Sequence, residues 1–427
     1  MKTSTLAGFL ATLLLAAFSA FSQPQQPAGA QAGPGRGAAG PRITSPEILP
    51  DNRVAFRLLA PKATEVLLNG DWPGGRGIQM SKDSSGVWSV TTPPVPPELW
   101  FYTFAVDGVT TIDPSNTRVV RDTVNYWSGV LVPGPGSALY QAGKVPHGTV
   151  STAWYPSPTL KADRRLTVYT PPGYETSTAK YPTMYLFHGG GGDEECWIVE
   201  GVTNVIMDNL IAQGKAKPMI VVMPNANWTE PAALENGGPR AGRAGRGGGQ
   251  PGAAGGRGAG QPGAVSGAGA PGIAAQNYDQ AIDDIVNGII PFMEARFRAL
   301  PGRENRAITG LSMGGGVAIN VGLKRPDIFA NVGEFSSGMF GGVGGYAEYD
   351  IDKISPGFLA DAAATNKKLK TFFFSCGTED PRIQYQTKAT DDLKSHGIAL
   401  TFRRYPGEHD WRVWRASLVD FAQMLFR

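Results

Sequence analysis

The sequence predicts two domains of different class, an all-β, immunoglobulin-like sandwich followed by an α/β domain on a largely parallel sheet. Three observations predict it. Residues 42–133 carry short alternating strands separated by turn signals. Pro133-Gly134-Pro135-Gly136 marks a break, and from about residue 145 strands and helices alternate. A chain of 427 residues exceeds one ordinary domain, and 41% hydrophobic residues suffice for two packed cores.

Lys2 precedes an apolar run from Leu6 to Phe18 that is too short to span a bilayer comfortably. Ala20 and Ser22 are small residues suited to a cleavage site before Gln23, so residues 1–22 read as a signal peptide. No cysteine follows to carry a lipid. The expected location is secreted or periplasmic, with no stable membrane anchor. Residues 23–41 are rich in Gln, Pro, Gly and Ala with little to bury, and read as a disordered linker.

Within 42–133, Arg53–Leu59 alternates Val54, Phe56 and Leu58 on one face. Strands follow at Glu65–Leu68, Val87–Thr91 and Leu99–Val106, with turns at Asn69–Asp71, Ser84–Gly86 and Asp107–Gly108. Leu99–Val106 sets Trp100, Tyr102 and Phe104 on one face and Leu99 and Phe101 on the other. A strand apolar on both faces needs cover on both.

From 145 to 427 the strand candidates are Arg165–Thr170, Thr183–Phe187, Met219–Met223, Ala307–Gly310, Val332–Phe335, Thr371–Ser375 and Thr401–Tyr405. Helical spacing is clearest over Tyr278–Phe297, where Ile282, Ile285, Ile289 and Met293 recur at three- and four-residue steps. Gln384–Ser395 and Arg412–Leu425 are further helices. Residues 237–276 interrupt the pattern with 16 glycines, four arginines and no acidic or aromatic residue. Such a segment cannot offset its ordering entropy and reads as a disordered Gly/Arg-rich insertion. Its Gly258, Gly260 and Gly263 match a dinucleotide fingerprint by spacing alone, with no strand before them.

A net charge of +3 over this length points to neither nucleic acid nor an anionic membrane. With two distant cysteines, Cys196 and Cys376, and four histidines, no zinc-like cluster is expected, and no cofactor is implied. Distant cysteine pairs in a large domain are more often buried small hydrophobes than a disulfide.

The chemistry gathers around Gly310-Leu311-Ser312-Met313-Gly314, which follows a strand and precedes the helix-like Gly315–Arg325. This is the setting of a nucleophile elbow in an α/β-hydrolase fold, where small neighbours allow the sharp turn. A serine nucleophile needs a base. His409, in Gly407-Glu408-His409-Asp410-Trp411, follows the last strand and precedes the last helix, where this fold carries its histidine. The orienting carboxylate belongs after a late strand, and Cys376-Gly377-Thr378-Glu379-Asp380 supplies Asp380, with Glu379 as runner-up. The oxyanion hole needs two backbone N–H groups: Met313, and Gly190 (or else Gly189) from the turn His188–Gly192. His188 is read as supporting this turn rather than reacting.

These residues resemble carbohydrate esterase family 1, the group that includes feruloyl and acetylxylan esterases. The likeness rests on Tyr169–Tyr174, Tyr185–Gly192, Asn204–Leu210, Gly310–Gly315, Cys376–Asp380 and Gly407–Trp411 with Trp414 and Arg415, and covers roughly 145–427. It implies a Ser312–His409–Asp380 triad acting on an ester-substituted polysaccharide or oligosaccharide, with feruloyl or acetyl groups on xylan the foremost substrates. Mycolyltransferases and siderophore esterases share fold and triad, so acyl transfer is the second reading and a non-catalytic carbohydrate-binding protein the third. Leu67–Trp72, Trp100–Gly108 and Asp113–Asn116 resemble a glycogen-binding-type sandwich module. Its Trp72, Trp88, Trp100, Tyr102, Tyr126 and Trp127 are candidates for a sugar platform, although the alternation of Trp100, Tyr102 and Phe104 is that of core residues.

Overall fold

A computed structural model describes residues 43–122, 125–228, 278–337 and 351–427. The expected signal peptide (1–22), linker (23–41) and insertion (237–276) lie outside the described residues.

The N-terminal region is a two-sheet sandwich. One sheet runs in the order Glu47–Ile48, Val54–Leu59, Val87–Thr91, Ser81–Lys82; the other runs Ile78–Gln79, Val66–Gly70, Leu99–Val106, Asn125–Leu131, Val119–Asp122. The strand Val109–Thr111 pairs with Leu99–Val106. Between the sheets lie Val54, Phe56, Leu58, Trp72, Trp88, Trp100, Tyr102 and Phe104. Trp72 stacks on Phe56, and Trp88 and Trp100 donate their indole N–H groups to backbone carbonyls. Four of the six aromatics considered for sugar binding are therefore core residues. Tyr126 is exposed, and Trp127 is partly buried against the catalytic domain.

The second region is one eight-stranded sheet: β1 (Thr149–Ser157), β2 (Ala162–Thr170), β3 (Thr183–Phe187), β4 (Ile220–Pro224), β5 (Arg306–Gly310), β6 (Asn331–Phe335), β7 (Thr371–Gly377) and β8 (Thr401–Tyr405). Their spatial order is β1-β2-β4-β3-β5-β6-β7-β8. β3 to β8 are parallel, and β2 is antiparallel to both neighbours. Strands β3 to β7 are buried on both faces because helices or the sandwich cover both. This is the α/β-hydrolase architecture. The helix expected over Tyr278–Phe297 is α-helical over Tyr278–Asp284, widens to a π-turn at Ile285–Ile289, and is α-helical again over Ile290–Arg296. Pro291 has no N–H for the carbonyl four residues back, and a wider turn relieves the clash. Cys196 and Cys376 are buried and are not joined in a disulfide.

The sandwich is welded to the catalytic core. Leu99 and Phe101 share a cluster with Trp197, Trp414, Leu418 and Phe421. Arg415, 1% exposed, donates to the carbonyls of Glu200 (2.6 Å) and Leu99 (2.7 Å), ion-pairs with Glu98, and lies over the rings of Phe101 and Tyr140. On the other flank Arg121 ion-pairs with Asp193 (2.9 Å) and Glu195 (2.6 Å), just past the glycine turn. Arg415→Met should leave two buried carbonyls without the arginine donor and Glu98 without its cation, lowering stability by about 3 kcal/mol. Urea unfolding followed by tryptophan fluorescence checks this; an unchanged midpoint would mean that the junction carries no stability.

Candidate active site

Ser312 joins β5 to the helix Met313–Lys324 with φ 51 and ψ −115, a conformation costing about 1–3 kcal/mol for a residue with a side chain. Contacts on every side hold it there. Ser312 N donates to Phe335 O (2.8 Å), Leu311 N to Phe187 O (3.2 Å), and Gly316 N to Ser312 O (3.1 Å). A methyl at Gly310 would sit 2.7 Å from Phe187 O, and one at Gly314 2.5 Å from the carbonyl oxygens of both Phe187 and His188. Glycine at these two offsets is a steric requirement.

The same closeness brings the glycine turn to the elbow. A Cβ at Gly189 would lie 3.5 Å from Ser312 Cβ, and one at Gly190 4.0 Å from Met313 Cβ. The N–H groups of Gly189, Gly190 and Met313 have no acceptor among the described residues. Those donors stand at the N-terminus of a buried helix, where developing negative charge is favoured. His188 is buried: its Nε2 accepts from Ala226 N (2.8 Å) and its Nδ1 donates to Gly189 O (2.8 Å). Both nitrogens are committed to shaping the turn, which leaves it no role as a base.

Asp380 follows β7 and His409 follows β8, so both lie at the carboxyl edge of the sheet, on the same edge as Ser312 after β5. Asp380 Oδ2 lies 2.7 Å from His409 Nδ1, and both residues are buried. Asp380 Oδ1 accepts from Arg382 N (2.9 Å) and meets the Arg382 guanidinium (3.3 Å). Glu379 does something else: its side chain accepts from Gly407 N, while its own N–H donates to Gly407 O (3.0 Å). It ties the two loops together and leaves the imidazole to Asp380. Trp414 packs edge-on against the His409 ring, with centroids 4.9 Å apart. Asp410 caps the helix Trp411–Met424 and so fixes where the histidine loop ends. Arg382 and Trp414 are parts of the site that spacing alone does not reveal. The remaining histidines are elsewhere, His147 on Asp208 and His396 exposed at a helix end.

Burial pushes the Asp380 carboxyl up, but the His409 hydrogen bond and charge, with Arg382, outweigh it and hold it below the usual carboxylate value. For His409 burial dominates and pulls the imidazole below its ordinary value; the Asp380 bond opposes this, and the Arg382 charge adds to it. The ring is neutral at neutral pH, with its Nδ1 proton held by Asp380 and a lone pair on Nε2.

A family model described as Putative esterase matches residues 157–252 and 260–425, and one for carbohydrate-binding module 48 (isoamylase N-terminal domain) matches 43–137. An endo-1,4-beta-xylanase/feruloyl esterase from Xylanibacter ruminicola is 27% identical over 389 residues, 90% of this chain and 46% of that protein. An acetyl esterase from Caldicellulosiruptor saccharolyticus is 29% identical over 157 residues, 31% of this chain and 59% of its own. The chain thus spans about half the length of the curated relatives it matches. A ferulic acid esterase from Anaeromyces mucronatus, solved with ferulic acid, superposes with TM-score 0.51 at 25% identity, covering 69% of this chain and 96% of that one. The enterobactin esterase of Shigella flexneri shares the fold at 15% identity and TM-score 0.54, covering 87% and 92%.

Asp380→Asn should lower kcat by about 10³- to 10⁴-fold by losing the histidine tautomer, whereas Glu379→Gln, which keeps an oxygen for Gly407 N, should cost under about tenfold. The opposite ranking would transfer the orienting role to Glu379. In the wild type, kcat/KM for a soluble ester should fall as pH drops through an apparent pKa below about 6.5, because protonated His409 has no lone pair to offer. An acid limb centred above that value would contradict the burial argument.

Proposed function

The chain belongs to the Putative esterase family, and from that premise we propose that it is a serine carboxylic-ester hydrolase removing feruloyl or acetyl groups from plant cell-wall xylan through an acyl-enzyme. The observation that carries this reading is the buried Asp380–His409 bond, at the same sheet edge as the strained Ser312. A strained serine and an oriented, neutral imidazole are what acyl transfer requires.

In the proposed cycle His409 Nε2 takes the Ser312 hydroxyl proton as Oγ bonds to the ester carbonyl carbon. The carbonyl oxygen gains negative charge and is met by the N–H groups of Met313 and Gly190. Collapse breaks the ester C–O bond, and His409 returns its proton to the leaving sugar oxygen. Water then repeats the sequence on the acyl-enzyme, releasing the acid and restoring Ser312. No step calls for a metal or an organic cofactor. The relatives that carry feruloyl esterase and xylanase in their names support the xylan-linked substrate. The signal-like first 22 residues support a secreted or periplasmic location.

Ser312→Ala should keep the wild-type circular dichroism spectrum and melting temperature and lose on the order of 10⁴-fold or more in rate on methyl ferulate, acetylated xylan or short p-nitrophenyl esters. A variant retaining more than a few per cent of the rate would remove Ser312 as nucleophile. Product analysis with an added sugar alcohol separates hydrolysis from transfer, since a transferase would yield a new ester in place of free acid.

A further inference from the structure

Among the described residues of the catalytic domain, Val150 and Trp154 are the exposed large apolar side chains, and both lie on β1. Trp154 is 50% exposed. Its neighbours Ala153 and Tyr155 pack into the core on one face of the sheet. Trp154 therefore points to the opposite face, the one that carries the sandwich and the helix Trp411–Met424.

The strand register fixes its level. Trp154 pairs with Arg165, Leu166 with Pro224, Tyr185 with Val222, and Phe187 with Gly310. Trp154 thus stands on the transverse row that passes one residue beyond Pro224 and Phe187 to Leu311, next to Ser312. Four strand spacings separate β1 from β5, so the ring lies roughly 19 Å from the nucleophile strand.

The ring has a built support. The Arg165 guanidinium sits 5.8 Å from its centroid and ion-pairs with Glu194 at 2.6 Å. Glu194 is buried and also accepts from Asn225 Nδ2 (2.9 Å). Glu194 comes two residues after Gly192, so the segment that leaves the glycine turn also anchors the arginine behind Trp154. An indole braced in this way offers a flat, electron-rich surface, and the C–H face of a pyranose ring is its natural complement. At this distance an acyl group on Ser312 is out of reach, but a sugar several units along the same chain is not.

We propose that Trp154 is a stacking subsite for the polysaccharide main chain, remote from the ester-bearing sugar. This rests on the reading of the protein as a polysaccharide esterase and deepens it. Trp154→Ala and Trp154→Phe would be assayed on methyl ferulate and on feruloylated arabinoxylan, and run in native gels cast with unsubstituted arabinoxylan. The alanine variant should keep kcat and KM on methyl ferulate within about twofold, raise KM on the polymer about tenfold, and lose gel retardation. Phenylalanine, which keeps a flat ring, should recover most of the loss. Equal losses on both substrates, unchanged polymer kinetics, or retardation undiminished in the alanine variant or absent from the wild type would each overturn the subsite. Retardation that depends on Trp154 in a protein cleaving neither ester would uphold the subsite and remove the esterase reading.

Discussion

At the centre of the catalytic sheet, the backbone of the elbow lies against the carbonyl ends of β3 with no side chain between them. Gly310 and Gly314 make that approach possible, and Phe187 and His188 receive it. The contact sets the angle at which β5 turns into its helix and holds Ser312 in a conformation its side chain disfavours. It also draws the glycine turn beside Met313, so Ser312, the proposed nucleophile, and the N–H groups of Gly189, Gly190 and Met313 are fixed by one packing event. His188 completes the arrangement from below, with one nitrogen on its own turn and the other on Ala226.

Around this centre the sandwich acts as a structural wall. Its strand Leu99–Val106 contributes one face to its own core and the other to the catalytic core. Arg415 leads from that strand to the helix that starts two residues after His409, and Arg121 leads from the edge strand of the same sheet to the residues after the glycine turn. Asp71 is drawn into the same junction. Burial pushes its carboxyl up to about 7, against the pull of the Phe101 N–H and of Arg415 and Arg412. The glycine-turn segment and the helix after His409 are thus both braced by a module that contributes none of the proposed site residues.

What the sequence disclosed depended on how local each constraint is. The elbow was legible because steric need leaves glycine at fixed offsets from one serine. The doubly apolar Leu99–Val106 foretold its shared burial, since periodicity records cover on both faces. The choice between Glu379 and Asp380 was not decided by spacing, because adjacent carboxylates after a strand differ only in where the fold aims them. β1 went unread: Thr149, Val150, Ser151 and Thr152 are all exposed on an edge strand, which blurs the alternation that marks a half-buried one. The π-turn at Ile285–Ile289 was not read, because the apolar stripe stays regular through Pro291. Arg382 and Glu194 carry no pattern at all, since their meaning lies in contacts the chain makes only when folded.

The junction at Arg415 also has a history in time. Its partner Leu99 lies 316 residues earlier in the chain, and at about 5–20 residues per second that interval is roughly 15–60 s of synthesis. Over that interval the face of Leu99 and Phe101 lacks the cover that Trp414, Leu418 and Phe421 supply in the finished fold. A nascent chain of this design exposes part of that apolar face from early in its making. Its yield is then governed by whatever shields that face meanwhile, as much as by the stability of the finished fold.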